Sequence, residues 1–318
     1  METYDVGVNC LRKFIYIVTF ILFGAALLLT GCNNKVLIED NKNLETNNEV
    51  DLKIMTTNKL LYYMVKDVVK DKHYVNYMFK NETEQWNFTF SKDSLENVSN
   101  QNLFIYIGAN FEPWMDSFVD GLNKGSVGVI DVARGVKLID YNNEVKYNDE
   151  VLEENPYYWL DIDNYKVMML NIKNVIEEKD PKNRGFYEDN FSKAKKEADG
   201  YEKELKALAE KTKDCLFLAQ GDTLDYFLKD NNLKYLKLDD YYNLPPEKRV
   251  ERSDFEKKLK EAKKLILLCT CESDKNINET LINEYKIRTV NIIAYKEGYT
   301  FQQIIKNNID NLSNAVSK

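Results

Sequence analysis

The chain has 318 residues and a formal net charge of −8 at pH 7, with 30% of its residues charged and 44% apolar. This length is enough for two buried cores, and the apolar fraction excludes a largely disordered chain. The acidic balance argues against nucleic acid as a partner, because phosphate binding requires a basic face.

The first predicted element is an uncharged apolar run that follows Arg12 and Lys13. A basic start and an apolar stretch over residues 14–30 are typical of a secretory signal peptide. The stretch ends in LTGC, which resembles the bacterial lipobox, where the cysteine thiol is acylated before cleavage. We therefore expect residues 1–31 to be removed and Cys32 to carry acyl chains such as palmitate. A plain transmembrane anchor is the alternative, although the apolar run is slightly short for a span.

Residues 32–50 are polar and rich in asparagine, and we expect them to form a flexible tether. Behind them, short apolar segments alternate with helical patterns, which favours parallel α/β sheets. We expect an N-terminal α/β lobe over residues 51–185. Its predicted strands cover residues 51–57, 74–79, 102–109 and 127–133.

A long helix is predicted in the middle of the chain. Residues 164–181 form a helix that Pro181 stops, and an amphipathic stripe then runs over residues 186–213 for about seven turns. Such a length is unusual for a crossover between neighbouring strands. We therefore interpret it as a rigid strut that links two lobes.

A second α/β lobe is predicted over residues 214–318, with Asp222 and Ser253 as the N-caps of two of its helices. An amphipathic helix ends the chain. The expected fold class is therefore α/β, with two Rossmann-like lobes joined by one long rigid helix and a ligand cleft between the lobes. The predicted strands of the second lobe cover residues 215–221, 233–238, 265–271 and 289–295.

Catalytic chemistry is not indicated by the sequence. His73 is the only histidine, and it precedes a predicted strand at what we expect to be a surface or edge position. No nucleophile and base can be paired around it, so we do not expect an enzyme. The cysteines that remain after Cys32 are Cys215, Cys269 and Cys271, which do not make a disulfide framework.

Three segments carry the strongest family signal: KIMTTNKLLYYMVKDVV, IYIGANFEPWM and NPYYWLDID. Together with DPKNRGFYEDN and DTLDYFLKDNNLK, and in this order, they resemble the cluster A-I substrate-binding proteins of bacterial metal ABC transporters. The resemblance covers residues 51–318. It implies a lipid-anchored, solute-binding protein on the extracytoplasmic face of the cell membrane, with an ABC permease as its partner. We expect a monomer that binds a small solute and no nucleic acid.

The resemblance also implies a zinc or manganese ion held by two side chains from each lobe, mostly histidine and acidic residues. The corresponding positions here are Trp86, Tyr157, Gly221 and either Ala294 or Tyr295. None of these is a good ligand for zinc or manganese. We therefore expect no metal of the family's kind and no other cofactor.

The residues expected to face the cleft are Trp86, Tyr157, Asp222 and Tyr295, because ligands bind at the carboxyl ends of strands in open α/β sheets. Their rings and carboxylate suit a cationic or ring-bearing organic solute. The alternative for the rings is that they simply fill the core.

Two other functions remain open from the sequence. Cys269 and Cys271 alternate along a strand and are expected on one face, where they are weak candidates for a relocated soft-metal site. The chain could also serve as a surface adhesin or docking module that binds no solute.

Overall fold

The computed structural model describes residues 51–122, 127–243 and 249–317. The signal peptide, Cys32 and the tether predicted above lie outside these residues. In the described part of the chain, no helix is both long enough and apolar enough to cross a bilayer. The strands are β1 (Lys53–Asn58), β2 (Tyr74–Phe79), β3 (Leu103–Tyr106), β4 (Gly128–Asp131), β5 (Asp140–Tyr147), β6 (Glu150–Glu154), β7 (Cys215–Ala219), β8 (Tyr235–Lys237), β9 (Lys264–Cys269) and β10 (Arg288–Asn291).

The helices surround these strands, and short 3-10 turns lie at Tyr158–Leu160 and Pro181–Asn183. The helices are α1 (Lys59–Val69), α2 (Glu82–Trp86), α3 (Lys92–Ser99), α4 (Met115–Gly121), α5 (Ile162–Lys179), α6 (Arg184–Lys211), α7 (Asp225–Asp230), α8 (Leu238–Tyr242), α9 (Arg249–Glu261), α10 (Glu272–Ile277), α11 (Glu279–Tyr285) and α12 (Phe301–Val316).

Two four-stranded parallel sheets define two α/β lobes, as predicted. Their strand orders are β2-β1-β3-β4 and β10-β9-β7-β8. Numbered in chain order within each lobe, both sheets follow the order 2-1-3-4. Each lobe therefore has a switch point between its first and third strands, where the loops at the carboxyl ends diverge and leave a crevice.

The turn from β1 into α1 shows how local sequence builds the first crevice. The Asn58 side chain caps α1 by accepting a hydrogen bond from the backbone N–H of Leu61 at 3.1 Å. The apolar residues of α1 recur at helical spacing, so that one stripe faces the sheet. Its buried residues are Leu60, Leu61, Met64, Val65, Val68 and Val69.

Helix α6 has 28 residues and confirms the predicted long linking helix, although it begins and ends two residues before the predicted bounds. It packs against α1 and α5 of the first lobe and against α12 of the second. Between the lobes, Tyr165 stacks on Phe301 with ring centroids 3.5 Å apart. One hydrophobic core runs from the first lobe through α6 into the second. The lobes therefore share their apolar interior.

Two predicted helix caps are wrong. Helix α7 begins at Asp225 behind Leu224, so Asp222 does not cap it. Helix α9 begins at Arg249, which leaves Ser253 inside the helix. The antiparallel β5–β6 hairpin is absent from the sequence-based prediction. Strand β5 alternates exposed and half-buried positions, and in β6 only Leu152 is buried.

His73 is buried, with 5% of its surface exposed, and the predicted surface position is wrong. Its Nδ1 accepts a hydrogen bond from the backbone N–H of Leu52, and its Nε2 lies 2.7 Å from the hydroxyl of Tyr187. That hydroxyl donates to Asp180. Burial lowers the pKa of His73, which favours the neutral ring. The burying residue, Tyr187, lies 114 positions further along the chain, beyond the reach of local pattern analysis.

Glu112 holds two strand ends together at the crevice of the first lobe. Its carboxylate accepts hydrogen bonds from the hydroxyl of Thr57 at 2.5 Å and from the backbone N–H groups of Ile107 and Gly108 at 3.1 and 3.0 Å. Gly108 has φ +75°, and a Cβ there would collide with the carboxylate of Asp131, so only glycine fits. Burial raises the pKa of Glu112 to about 7, despite these three donors.

We expect Glu112→Gln to destabilise the protein by about 1–3 kcal/mol at low pH, because a side-chain amide would face donors that need an acceptor. The pKa of Glu112 in the folded state lies above its ordinary value of 4.5. The contribution of Glu112 to folding stability is therefore complete below pH 4.5 and is lost as the pH rises through about 7. The measurement is urea unfolding over a pH series. A penalty that grows with rising pH would contradict this assignment. Glu96→Gln, an exposed change in the same lobe, is the control and should shift stability by less than about 0.5 kcal/mol.

Candidate ligand-binding site

A cavity of about 280 Å³ lies beside α2 in the first lobe. It brings together Trp86 and Tyr157, the two first-lobe positions at which the resemblance places metal ligands. The other predicted cleft residues, Asp222 and Tyr295, are not among those that line it. The lining residues are Glu82, Thr83, Gln85, Trp86, Asn87, Phe111, Tyr141, Pro156 and Tyr157.

Helix α2 is only five residues long, and side chains from three directions fix it in place. The Asn81 side chain accepts from the backbone N–H of Glu84 at 2.9 Å. The indole N–H of Trp114 donates to the carbonyl of Gln85 at 2.7 Å, and the amide of Asn58 donates to the Gln85 side-chain oxygen at 3.3 Å. The wall of the cavity that α2 provides is therefore held by residues of the predicted family segments.

The NPYYWLD segment divides its rings between the core and the cavity. Tyr158 and Trp159 are fully buried. The hydroxyl of Tyr158 donates to the carbonyl of Ile107 at 2.6 Å, and the indole N–H of Trp159 donates to the carbonyl of Ala294 in the second lobe at 2.9 Å. Tyr157 alone of the three rings lines the cavity.

Around Tyr157, rings pack edge to face beside a carboxylate. The Tyr157 and Phe111 ring centroids are 5.9 Å apart, and the Tyr157 hydroxyl lies 3.5 Å from Oε1 of Glu82. Burial raises the pKa of both Glu82 and Tyr157, so the phenol stays neutral. Tyr295 lies behind Phe111, with centroids 6.5 Å apart, and among the described residues its buried hydroxyl has no hydrogen-bond partner.

The carboxylate of Asp222 is occupied by other parts of the protein. It accepts from the backbone N–H groups of Asn142 and Asn143 in β5 at 3.0 and 2.9 Å and from Nζ of Lys237 at 2.9 Å. Burial alone would raise the pKa of Asp222, but these hydrogen bonds outweigh it and the pKa is lowered. Lys237 also bonds Asp225 at 2.6 Å. In this structure, Asp222 holds the β5–β6 hairpin against the second lobe.

The second-lobe positions at which the resemblance implies metal ligands are not among the described residues that line the cavity. Gly221 has φ +68°, and its backbone N–H donates to Asp239 at 2.7 Å. Ala294 is buried, and its carbonyl is bonded to Trp159. Within residues 51–122, 127–243 and 249–317, no three His, Cys, Asp or Glu side chains are grouped to hold a metal ion.

Cys269 and Cys271 do not share a face, and that prediction is wrong. Cys269 is 1% exposed in the core, and burial raises the pKa of its thiol to about 12. Cys271 is exposed at the N-cap of α10. Strand β9 ends at Cys269, so the alternation that would have aligned the two side chains stops there.

Seven of the nine lining residues were missed by sequence reasoning, among them Glu82, Phe111 and Tyr141. Glu82 follows Asn81, and the pair of a capping asparagine with acidic residues in the first helical turn is a recognisable signal for a helix start. Phe111 and Tyr141 reach the cavity through the loop after β3 and through β5, and no local pattern marks them.

Two α/β lobes on a linking helix, with aromatic residues in a cavity beside the crevice, are typical of a solute-binding protein. The chain belongs to the family described as ZnuA, the periplasmic component A of the zinc-uptake complex, whose profile matches residues 54–315. This confirms the resemblance stated above. It also confirms that the chain is not an enzyme, because the family consists of solute-binding components of ABC transporters.

Relatives extend over most of the chain. The high-affinity zinc uptake protein ZnuA of Bacillus subtilis is 22% identical over 316 residues, which cover 93% of this chain and 96% of the relative. A metal ABC transporter substrate-binding lipoprotein of Lactococcus lactis is 26% identical over 227 residues, covering 68% of each chain. The crystal structure of the metal-dependent lipoprotein YcdH of Bacillus subtilis matches with a TM-score of 0.66 at 19% identity, covering 83% of this chain and 99% of that one. At this identity the structural likeness concerns the fold alone.

We expect Lys237→Met to destabilise the protein by about 3–5 kcal/mol, because it would leave two buried carboxylates, Asp222 and Asp225, without their cation. Lys229→Met removes an exposed lysine from α7 and should cost less than about 0.5 kcal/mol. Thermal and urea unfolding of the two variants provide the measurement. Equal stability of the two variants would show that the cluster does not stabilise the contact between hairpin and second lobe.

Proposed function

We propose that this chain is the extracytoplasmic solute-binding lipoprotein of an ABC transporter and that its solute is not zinc or manganese bound in the family's manner. One observation carries the proposal. Trp86 and Tyr157, the first-lobe positions at which the resemblance implies metal ligands, line one cavity together. This supports a site in which aromatic rings take the place of ion-binding side chains.

The donor chemistry supports this proposal. Zinc takes imidazole, thiolate or carboxylate ligands, and manganese takes oxygen and nitrogen donors. The indole of Trp86 has no lone pair to offer. Burial raises the pKa of Tyr157, which favours the weakly donating neutral phenol. Among the described residues, Glu82 is the one carboxylate that lines the cavity, and a single carboxylate does not make a tight site for either ion.

The anchor and the partner follow from family membership and from the amino-terminal sequence. Relatives are named as lipoproteins of metal ABC transporters. We propose that acylated Cys32 holds this chain at the outer face of the membrane, where it delivers solute to a permease. The tether of residues 32–50 would let the lobes reach that permease.

We expect the full-length lipoprotein, purified in detergent without chelators, to contain substoichiometric zinc and manganese by elemental analysis. EDTA should leave its melting temperature unchanged, and added zinc should raise it little, because stabilisation follows RT ln(1 + [L]/Kd) and Kd should be weak. The Bacillus subtilis zinc uptake relative, measured in parallel, is the positive control. One zinc or manganese ion per chain that survives purification would overturn the proposal.

We expect Cys32→Ala to abolish acylation and signal-peptide cleavage, because the thiol is the acceptor of the lipid. The measurements are metabolic labelling with palmitate and the intact mass of the protein from membranes. Cys10→Ala removes a cysteine from the same amino-terminal region and should leave both unchanged. A Cys32→Ala protein with the label and mass of the wild type would contradict the lipoprotein assignment.

A further inference from the structure

We infer that the cavity beside α2 binds a small organic cation, an ammonium compound whose charge faces Glu82 and whose substituents contact the rings of Trp86, Tyr141 and Tyr157. This inference rests on the proposed function, because it names the class of solute for the same site. It is carried by the cavity's rings and by a carboxylate that has no counter-ion among the described residues.

The rings are the first observation. Four of the nine lining residues are aromatic, and three of these carry an electron-rich indole or phenol ring. The faces of such rings attract cations, and the attraction strengthens when water is excluded. A volume of about 280 Å³ lies at the small end of ligand pockets, so the ligand is small.

The charge of Glu82 is the second observation. No described lysine, arginine or histidine forms an ion pair with it, and its one side-chain hydrogen bond is the 3.5 Å contact from Tyr157. By contrast Glu297, across the lobes, is paired with Lys59 at 2.8 Å. A partly buried carboxylate without a cation is unfavourable, and a cationic ligand would supply the missing charge.

Other classes of ligand fit this cavity less well. An anion would face the charge of Glu82 at short range, and no basic residue is among the described residues that line the cavity. A neutral aromatic compound would leave that charge uncompensated. The distinction between a cation and a neutral molecule of the same shape is therefore the decisive one.

The test is calorimetric titration of the full-length lipoprotein, in a nonionic detergent, with choline, tetramethylammonium and agmatine. The neutral carbon analogue of choline, 3,3-dimethylbutan-1-ol, is titrated in parallel. We expect saturable binding of at least one cation and binding of the neutral analogue weaker by about tenfold or more, because it lacks the charge that pairs with Glu82.

Matched variants assign the effect to the cavity. Glu82→Gln keeps the shape of the side chain and should weaken binding of the cation by about tenfold or more, without changing binding of the neutral analogue. Glu84→Gln removes an exposed charge from the same helix and should leave binding unchanged. Trp86→Leu should also weaken binding of the cation, because it removes an aromatic ring without changing the charge of the cavity. The unfolding midpoint of each variant shows that the fold is retained.

Two sets of results would overturn the inference. One is the absence of detectable binding of all three cations up to roughly 10 mM. A Kd above this concentration means a binding free energy of less than about 3 kcal/mol. The other is cation affinity that Glu82→Gln leaves unchanged. Neither result contradicts the proposed function. That proposal is contradicted by a different result, one zinc or manganese ion per chain in the elemental analysis.

Discussion

The buried cluster of Lys237 with Asp222 and Asp225 is the interaction on which the geometry of the site depends. It joins the second lobe to the β5–β6 hairpin through Asn142, and the same hairpin supplies Tyr141 to the cavity. Buried charges are costly unless their hydrogen bonds are complete. Here each carboxylate has the lysine and an amide donor, so the cluster is stable only when hairpin and lobe meet. Formation of the cavity wall is thereby coupled to contact between the lobes.

The second constraint is the continuous core. Because α6 packs on both lobes and Tyr165 stacks on Phe301, wide separation of the lobes would expose apolar surface on both sides of the crevice. Small adjustments of loops are compatible with this core, whereas a wide hinge motion is not. Exchange of the proposed solute would therefore depend on the short elements around the cavity, chiefly α2 and the hairpin.

Local sequence patterns predicted the parts of the fold that local physics determines. Apolar periodicity located the long helix to within two residues and the strands of both sheets to within about four. The family resemblance pointed to Trp86 and Tyr157, which line one cavity. The failures concern contacts between distant segments. His73 is buried by a residue of α6, and Asp222 is engaged by β5. In the sequence, Glu82 is one of several acidic residues at the start of a helix. Only the folded structure shows that no described basic residue forms an ion pair with it.

Gly221 has a consequence for the history of the site. Its backbone occupies a left-handed conformation, its N–H is bonded to Asp239 and its carbonyl to Lys237. There is space for a side chain, since a Cβ would meet no atom within 4 Å. A histidine introduced there would nevertheless have to adopt a conformation that costs about 1–2 kcal/mol outside glycine. A change of this one codon would therefore reduce the stability of the protein by about that amount, and the new side chain would offset the loss only if it bound an ion.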